Sequence, residues 1–341
     1  MEISAKIIAH SKSSVNGKEI VTFELQYPRF IHGELMTHRL FSRNAASSRA
    51  IPISKMIEQV RNDPAMPIHW GKNQPGMQAN EECDNPVFVE DFYHNEIWMG
   101  KSMERAKEVS HVPPATAWAY FASCIADYAE QFEISGYHKQ VANRILEPFQ
   151  WMKTVLTATE FDNFFWLRKH ADAQPEIKRL AELMWEALRE SKPRVLPTGW
   201  WHTPYFHNGY WCPFMMDEDC YDEPSTLEDA LAISSSCCAQ VSYRLLDESL
   251  EKAKVIYKKL VDSEPVHASP FEHQATPMDY SDKWDCTNDG VNVPSLPHTW
   301  EKGITHVDVG KNLWSGNLMG WIQHRQLIPN NACWDFKKDV D

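Results

Sequence analysis

The side chains best suited to bind an anionic ligand lie close together near the amino terminus. Residues 37–49 hold three arginines, one histidine, one asparagine and three serines within thirteen positions. Guanidinium groups can bind a phosphate through paired hydrogen bonds, while amide and hydroxyl groups can bind a heterocycle. By composition alone, a solvated loop with local hydrogen bonds is the more ordinary interpretation of this segment.

A second candidate is Arg168, which follows an aromatic run at 164–166. A partly buried arginine needs an acidic partner or an anionic ligand, because an unpaired buried charge is costly. Glu160, Asp162 and Asp172 lie close enough in sequence to be its partners. A structural ion pair and a ligand contact therefore fit the sequence equally well.

Two further segments combine polar side chains with turn-forming residues. The stretch 266–273, Val-His-Ala-Ser-Pro-Phe-Glu-His, places a hydroxyl before a rigid proline and a carboxylate after it. Its simpler interpretation is a turn with surface histidines. The stretch 316–331 is either an ordinary carboxyl-terminal helix with Trp321 packed inward, or a polar face directed at a ligand.

The composition limits the class of protein. With 341 residues, 43% of them hydrophobic, the chain can form one large globular domain or two modest ones. A net charge of −13 argues against sequence-independent binding of nucleic acid, but not against an anionic small molecule. The eight cysteines form no C-x-x-C pair and the fifteen histidines show no ligand spacing, so we expect no metal site. Without a signal-like or membrane-spanning run, we expect a cytoplasmic protein.

Hydrophobic periodicity predicts the elements that must position these side chains. Alternation at 3–8 and 20–26, with Asn16-Gly17 between them, predicts a β-hairpin. We expect a helix at 29–40 and irregular structure at 42–48. Further helices are predicted at 102–170 (with a break at Pro113-Pro114), 173–191, 226–246, 248–262 and 316–327. We expect a long loop with short helices at 51–100 and a linker or covering loop at 193–224.

Together these segments resemble the flavin-dependent thymidylate synthases. The family signature R-H-R-x-x-S-x-N-E-x-S-x-R-Y fits residues 37–50 at His38, Arg39, Ser42, Asn44, Ser47 and Arg49. Arg144 and the stretch 167–177 are similar to the family's downstream arginine and L-R-x-x-x-x-A-Q-x-E-I element. Residues 267–273 match its P-F-E-H element, preceded at 239–243 by a segment similar to A-R-V-S-Y.

The chain departs from the family pattern in composition and in order. Thr37, Ala45 and Ala50 replace the first Arg, the Glu and the Tyr of the signature. The P-F-E-H element, which usually precedes the signature, follows it here, and 320–331 is itself similar to the signature. We therefore predict a permuted or partly duplicated arrangement. Its parts are a signature-bearing half at 1–192, a linker or covering loop at 193–224, and a second half at 225–341.

The resemblance implies an α+β fold in which a small antiparallel sheet carries the signature and long helices pack against it. It implies transfer of a one-carbon unit from methylenetetrahydrofolate to C5 of a pyrimidine deoxynucleotide, most simply dUMP to dTMP, with FAD as cofactor and NADPH as reductant. Family members are homotetramers with shared active sites, so we expect a homo-oligomer, a dimer or a tetramer. The partner is a small nucleotide, with no direct role for nucleic acid or membrane.

The resemblance also implies roles for individual residues. Arg168 would hold the pyrimidine and stabilise its developing negative charge, while Ser47, Arg49 and Arg144 would bind the nucleotide phosphate. The residues implied on the FAD side are His38, Arg39, Ser42, Asn44, Asn163, Ser269 and Glu272. We expect Gln323 and Arg325 to take over interactions that the substituted positions of the signature cannot make.

Two alternatives remain open at this point. The substituted signature could serve hydroxymethylation or methylation of another pyrimidine nucleotide, as in the synthesis of modified DNA. It could also belong to a non-catalytic protein that binds flavin or nucleotide, although the retained arginines and the P-F-E-H element favour catalysis.

Overall fold

The computed structural model describes residues 1–90, 109–213, 226–242, 246–279 and 300–333. In this part of the chain the helices are α1 His32–Leu35, α2 Ile53–Asn62, α3 Pro114–Ile134, α4 Lys139–Ile145, α5 Asp162–Arg168, α6 Pro175–Glu190, α7 Leu227–Ala239 and α8 Leu250–Val261. The strands are β1 Ser4–Ser13, β2 Glu19–Pro28, β3 Ser42–Ala45, β4 Val87–Glu90, β5 Val109–Val112, β6 Trp151–Ala158, β7 Arg194–Leu196, β8 Trp201–His202, β9 Tyr210–Trp211, β10 Ala275–Pro277, β11 His306–Val307, β12 Leu313–Ser315, β13 Leu318–Met319 and β14 Trp321–Gln323. None of the described helices is long and apolar enough to cross a membrane.

The central element is a five-stranded sheet with the order β3-β6-β2-β1-β7. Its pairings are antiparallel except for β7, which runs parallel to β1. The β1–β2 hairpin turns at Gly17, whose φ of 74° suits glycine, and the predicted hairpin is confirmed. The expected α+β fold with a mainly antiparallel sheet is also confirmed, and β3 of that sheet carries Ser42 and Asn44 of the signature.

Helices α5 and α6 cover one face of this sheet. Alternate residues of β2, from Val21 to Tyr27, point into a core shared with phenylalanines of α5 and an apolar stripe of α6. The stripe is Ile177, Leu180, Ala181 and Met184, the spacing expected of an amphipathic helix. Because Gln174 caps the first turn through a 3.0 Å hydrogen bond from the Ile177 amide, α6 begins where the sequence predicts.

The carboxyl-terminal elements cover the opposite face of the sheet. Ile20 of β2 packs there with Leu196, Ala275, Leu318 and Trp321. A second, four-stranded sheet has the order β14-β10-β8-β9, and helices α7 and α8, which contact each other extensively, complete this layer. The signature strand therefore lies in a sheet that is covered on both faces by other parts of the same chain.

The structure corrects several predicted elements. Residues 42–45 form a strand because β6 supplies its hydrogen-bonding partner, and β6 itself lies within the range predicted to be mainly helical. The helix predicted at 29–40 is reduced to a 3₁₀ turn and the four residues of α1. The α-helix predicted at 316–327 is wrong, because Gly316 and Gly320 adopt φ of 59° and 75°. The segment forms two short strands followed by a 3₁₀ turn at His324–Leu327.

The region predicted to link two halves contains ordered elements. Residues 194–196 form β7 of the central sheet, and β8 and β9 belong to the second sheet. Residues 214–224, the remainder of the predicted linker, lie outside the described residues. The division of the chain at 193–224 stays a prediction.

Candidate active site

Arg168, at the carboxyl end of α5, is held by three side chains of the segment that precedes the signature strand. Its Nε donates to His38 Nε2 at 3.0 Å, and its two terminal nitrogens contact Glu34 Oε2 at 3.1 Å and Thr37 Oγ1 at 3.3 Å. The acidic partner is therefore Glu34, and the expected partners Glu160, Asp162 and Asp172 are wrong. The Arg168 side chain keeps 21% of its surface open to solvent.

His38 acts in this cluster as a neutral hydrogen-bond acceptor. Burial, together with the positive charges of Arg168 and Arg43, lowers the pKa of His38 to about 4. Its ring packs edge-on against Phe164 and beside Phe41. Since Arg168 is always protonated, the Nε2 atom that accepts its hydrogen bond carries no proton. The proton of the neutral imidazole is thus on Nδ1.

An open cleft of about 1470 Å³ begins at this cluster. Its walls include Glu34, Arg168, Trp118, Trp166, Gln174 and Glu176. The opposite wall comes from residues in the range 67–80, and the Ile68 amide donates to the buried Glu176 carboxylate at 2.7 Å. This wall was not recognised in the Pro- and Trp-rich sequence, because its placement depends on a carboxylate more than one hundred residues away.

Arg49 and Arg144, the arginines expected to bind the phosphate, lie on two segments that contact each other. Buried Asn143 donates from Nδ2 to the carbonyl oxygens of Ser48 and Ile51, at 2.7 and 3.0 Å. This ties α4, which carries Arg144, to the loop that carries Arg49. Both guanidinium groups are exposed; Arg49 has no ion pair among the described residues, and Arg144 lies 3.6 Å from Glu147. Asn143, the neighbour of Arg144 in sequence, is therefore a positioning residue.

The signature strand is joined to the carboxyl-terminal segment by a second polar cluster. Gln323 Nε2 donates to Asn317 Oδ1 at 2.9 Å and to Ser42 Oγ at 3.3 Å, and Ser42 donates to Asn317 at 3.1 Å. Gln323 also donates to the Glu272 carbonyl at 3.2 Å, and the Glu272 carboxylate pairs with Arg325. Four of the residues implied on the FAD side are therefore brought together: Ser42, Glu272, Gln323 and Arg325.

The close approach of position 316 to Gln323 requires a glycine. Gly316 adopts φ of 59°, and a Cβ atom there would lie 2.6 Å from Gln323 Oε1. Any other residue at position 316 would therefore be strained and would push Gln323 away from Ser42.

The remaining site residues form other contacts or are exposed. Asn44 donates to the Cys238 carbonyl at 3.1 Å, which links the signature strand to α7. Arg39, Asn163 and Ser269 are exposed, and Ser47 accepts from the Arg49 amide at 3.3 Å. In the described ranges no group of three or more His, Cys, Asp or Glu side chains could hold a metal ion.

The fold and the site define an α+β protein with an open cleft, a restrained arginine on its wall and exposed arginines on adjoining segments. The family model "Thymidylate synthase complementing protein" matches residues 2–194, more than half of the chain. The chain therefore belongs to this family, the flavin-dependent thymidylate synthases, and is a methyltransferase of that type. The family resemblance stated from the motifs is confirmed.

Several solved structures are similar in part. They include a UMP/dUMP methylase, PolB from Streptomyces cacaoi, bound with 5-Br dUMP, at 16% identity over 55% of this chain and 90% of that chain, with a TM-score of 0.37. The same methylase bound with 5-Br UMP has a TM-score of 0.34, at 16% identity over 55% and 89%. ThyX from Helicobacter pylori, complexed with FAD and dUMP, has a TM-score of 0.30, at 17% identity over 50% and 67%. No curated protein matches the chain.

Proposed function

We propose that this chain transfers a one-carbon unit from methylenetetrahydrofolate to C5 of dUMP to give dTMP, with FAD as cofactor and NADPH as reductant. Family membership supports the class of reaction. The observation that carries the assignment to this cleft is the position of Arg168 on its wall, held by Glu34 and His38. We further propose that the protein acts in the cytoplasm as a homo-oligomer.

Arg168 is the proposed catalytic residue because it can stabilise negative charge that develops on the pyrimidine. Three of the five guanidinium N–H donors are used by His38, Glu34 and Thr37, which leaves two for a ligand. A neutral His38 orients the guanidinium without adding a second positive charge. A fixed, preoriented donor of this kind stabilises a transition state without reorganising during the reaction.

The side chains of this chain fit an anionic dinucleotide such as FAD. Arg39 is exposed and forms no ion pair with any described residue, and Arg325 Nε is buried without a hydrogen-bond partner among them. We assign the cofactor to the following residues: His38, Arg39, Ser42, Asn44, Asn163, Ser269, Glu272, Gln323 and Arg325. Bound FAD would supply the redox and one-carbon carrier chemistry that these side chains cannot.

Arg49 and Arg144, with Ser47 nearby, are assigned to the nucleotide phosphate. Their exposed guanidinium groups can form charge-assisted hydrogen bonds with a phosphate, and Asn143 fixes the distance between the segments that carry them. Ser47 is assigned to binding rather than to nucleophilic attack, because no His-acid pair near it in sequence could activate its hydroxyl.

The vicinal cysteines of α7 do not fit a role as nucleophiles. Burial raises the pKa of Cys237 to about 12 and the pKa of fully buried Cys238 well above its usual value. Because the thiolate is the reactive form, neither group is suited to attack a pyrimidine. This supports chemistry without a covalent bond from these two cysteines to the substrate.

One observation favours a second candidate substrate. Thr37, which replaces the first Arg of the signature, contacts Arg168 at 3.3 Å. A substitution beside the proposed catalytic residue changes the donors available to the pyrimidine. We therefore keep hydroxymethylation or methylation of another pyrimidine nucleotide as the alternative.

Anaerobic incubation with substrates tests the proposal. The purified protein is loaded with FAD, reduced with NADPH and mixed with methylenetetrahydrofolate and either dUMP, UMP or dCMP, and product masses are measured. We expect flavin bleaching by NADPH and a net mass gain of one CH2 unit on dUMP, since a methyl group replaces the hydrogen at C5. A methyl or hydroxymethyl product on another nucleotide would favour the alternative, and failure to bind FAD would contradict the proposal.

A further inference from the structure

A row of buried polar side chains crosses the central sheet on the face covered by the carboxyl-terminal elements. Ser11 Oγ lies 2.9 Å from His202 Nδ1, and His202 Nε2 lies 2.8 Å from Thr22 Oγ1. Thr22 Oγ1 lies 2.7 Å from Thr157 Oγ1, which lies 2.8 Å from His273 Nδ1. All five residues are at most 2% exposed. The row joins three strands of the central sheet to β8 and to the P-F-E-H segment.

The protons of this row can be arranged in only two ways. Each hydroxyl has one proton, and the only partners of the Thr22 and Thr157 hydroxyls among the described residues are members of the row. One proton must lie between the two threonine oxygens, since their 2.7 Å separation would otherwise bring two lone pairs together. The direction of that one hydrogen bond then sets the direction of all the others.

Both imidazoles must follow this direction. Burial lowers the pKa of His202 and of His273 to about 3, so each ring is neutral at physiological pH. If Thr157 donates to Thr22, His273 donates from Nδ1, and His202 accepts at Nε2 and donates from Nδ1. If Thr22 donates to Thr157, both Nδ1 atoms accept and both protons are on Nε2. In either case the two rings carry their proton on the same nitrogen.

We propose that these five residues form one directional hydrogen-bond chain that fixes both imidazoles in a common tautomer and positions the Ser269–Glu272 turn against the signature strand. His273 directly follows this turn. Its ring has no other hydrogen-bond partner among the described residues, since Nε2 is buried and unpartnered. The Thr157 hydroxyl is thus the polar contact that anchors His273 to the sheet.

Thr157 also lies next to the signature strand. In the sheet register it pairs with Thr22 of β2 on one side and with Ser42 of β3 on the other. Directly paired residues share a face of the sheet, so Thr157 and Ser42 both face the carboxyl-terminal elements. Thr157 therefore contacts His273 through its hydroxyl and lies directly beside Ser42 in the sheet. We classify Thr157, His202 and His273 as positioning residues.

A matched pair of substitutions separates positioning from simple loss of stability. Thr157→Val removes the hydroxyl but keeps the β-branched shape, and Thr157→Ser keeps the hydroxyl. Thr154→Val is the control, because Thr154 is equally buried on the same strand and its hydroxyl binds Tyr27 at 2.6 Å on the opposite face. Both valine variants lose one buried hydroxyl, but only Thr157→Val interrupts the row.

The decisive readout is ¹⁵N NMR of the imidazole nitrogens, with signals assigned by their loss in His202→Gln and His273→Gln. We expect His202 and His273 to show one common tautomer in the wild type, in Thr157→Ser and in Thr154→Val. In Thr157→Val we expect shifted His273 nitrogens and at least tenfold faster amide exchange across residues 274–277. Opposite tautomers in the wild type, or a Thr157→Val spectrum and exchange identical to the wild type, would overturn the proposal.

FAD affinity provides a second test, which rests on the proposed function. Because Glu272 is assigned to the cofactor, Thr157→Val should weaken FAD binding about tenfold and Thr157→Ser should restore it. Equal FAD affinity in the wild type and Thr157→Val would overturn the positioning of the turn. If neither the wild type nor any variant binds FAD, the proposed function fails. The NMR measurement still decides whether the hydrogen-bond chain exists.

Discussion

At the scale of single residues, the three arginines assigned to the substrate differ in how far neighbouring side chains restrain them. Arg168 is restrained by Glu34 and His38, whereas the guanidinium groups of Arg49 and Arg144 are exposed. The family motifs identified all three arginines, Arg49 in the signature and the other two in the downstream elements. They did not identify Glu34 as the partner of Arg168, since that contact joins α1 to α5 across 134 positions.

The exposed arginines should act mainly in nucleotide binding. We expect Arg49→Ala and Arg144→Ala each to raise the KM for the nucleotide about ten- to hundredfold, since a charge-assisted hydrogen bond contributes about 1.5–3 kcal/mol. The kcat should change little. Steady-state kinetics checks this, with Arg179→Ala as the control because Arg179 lines the cleft but pairs with Glu182. A lower kcat at unchanged KM would show that the assignment to the phosphate is wrong.

At the scale of elements, local patterns predicted what is built from nearby residues. The β1–β2 hairpin and the amphipathic α6 follow from alternation, turn chemistry and helical spacing. Strand β3 could not be predicted in this way, because its polar residues become a strand only by pairing with β6, more than one hundred positions later. In the same way, 316–327 has a helix-like pattern, but Gly316 and Gly320 allow tight turns instead.

The carboxyl-terminal turn at Arg325 should affect cofactor binding rather than folding alone. Arg325 pairs with Glu272, and its Nε is buried without a partner among the described residues. We expect Arg325→Ala to raise the Kd for FAD about tenfold, because both groups are assigned to the cofactor side. Fluorescence titration with FAD measures this. Lys254→Ala, which removes the Lys254–Asp229 pair elsewhere, serves as the control. Unchanged FAD affinity and turnover in Arg325→Ala would count against its role.

At the scale of the whole molecule, one chain supplies both sides of the polar cluster at the signature strand. Ser42 and Asn44 of the first part contact Asn317, Gln323 and Cys238 of the second. That two partial signature halves lie in one chain stays a prediction. The sequence order suggested it, but only the structure shows which side chains meet.

Buried histidines should make the folded state sensitive to acid. Burial lowers the pKa of His202 and His273 to about 3, whereas an imidazole in the unfolded chain binds a proton near pH 6.5. Below about pH 6.5 the unfolded state therefore binds more protons, and stability falls as the pH falls. The expected loss is about 1 kcal/mol per pH unit for each ring until the pH approaches 3. Urea unfolding between pH 7.5 and 5 measures it, and a constant free energy of unfolding would contradict the neutral state of both rings.

The most direct test of the proposed active site is the single-turnover rate of Arg168→Ala. Enzyme loaded with FAD is reduced by NADPH without oxygen and mixed with methylenetetrahydrofolate and saturating dUMP, and dTMP formation is followed over time. We expect at least about a hundredfold slower product formation, with the KM for dUMP changed less than about threefold. Arg179→Ala, on the same cleft, should match the wild type. A normal single-turnover rate in Arg168→Ala, with only a raised KM, would contradict the catalytic role of Arg168.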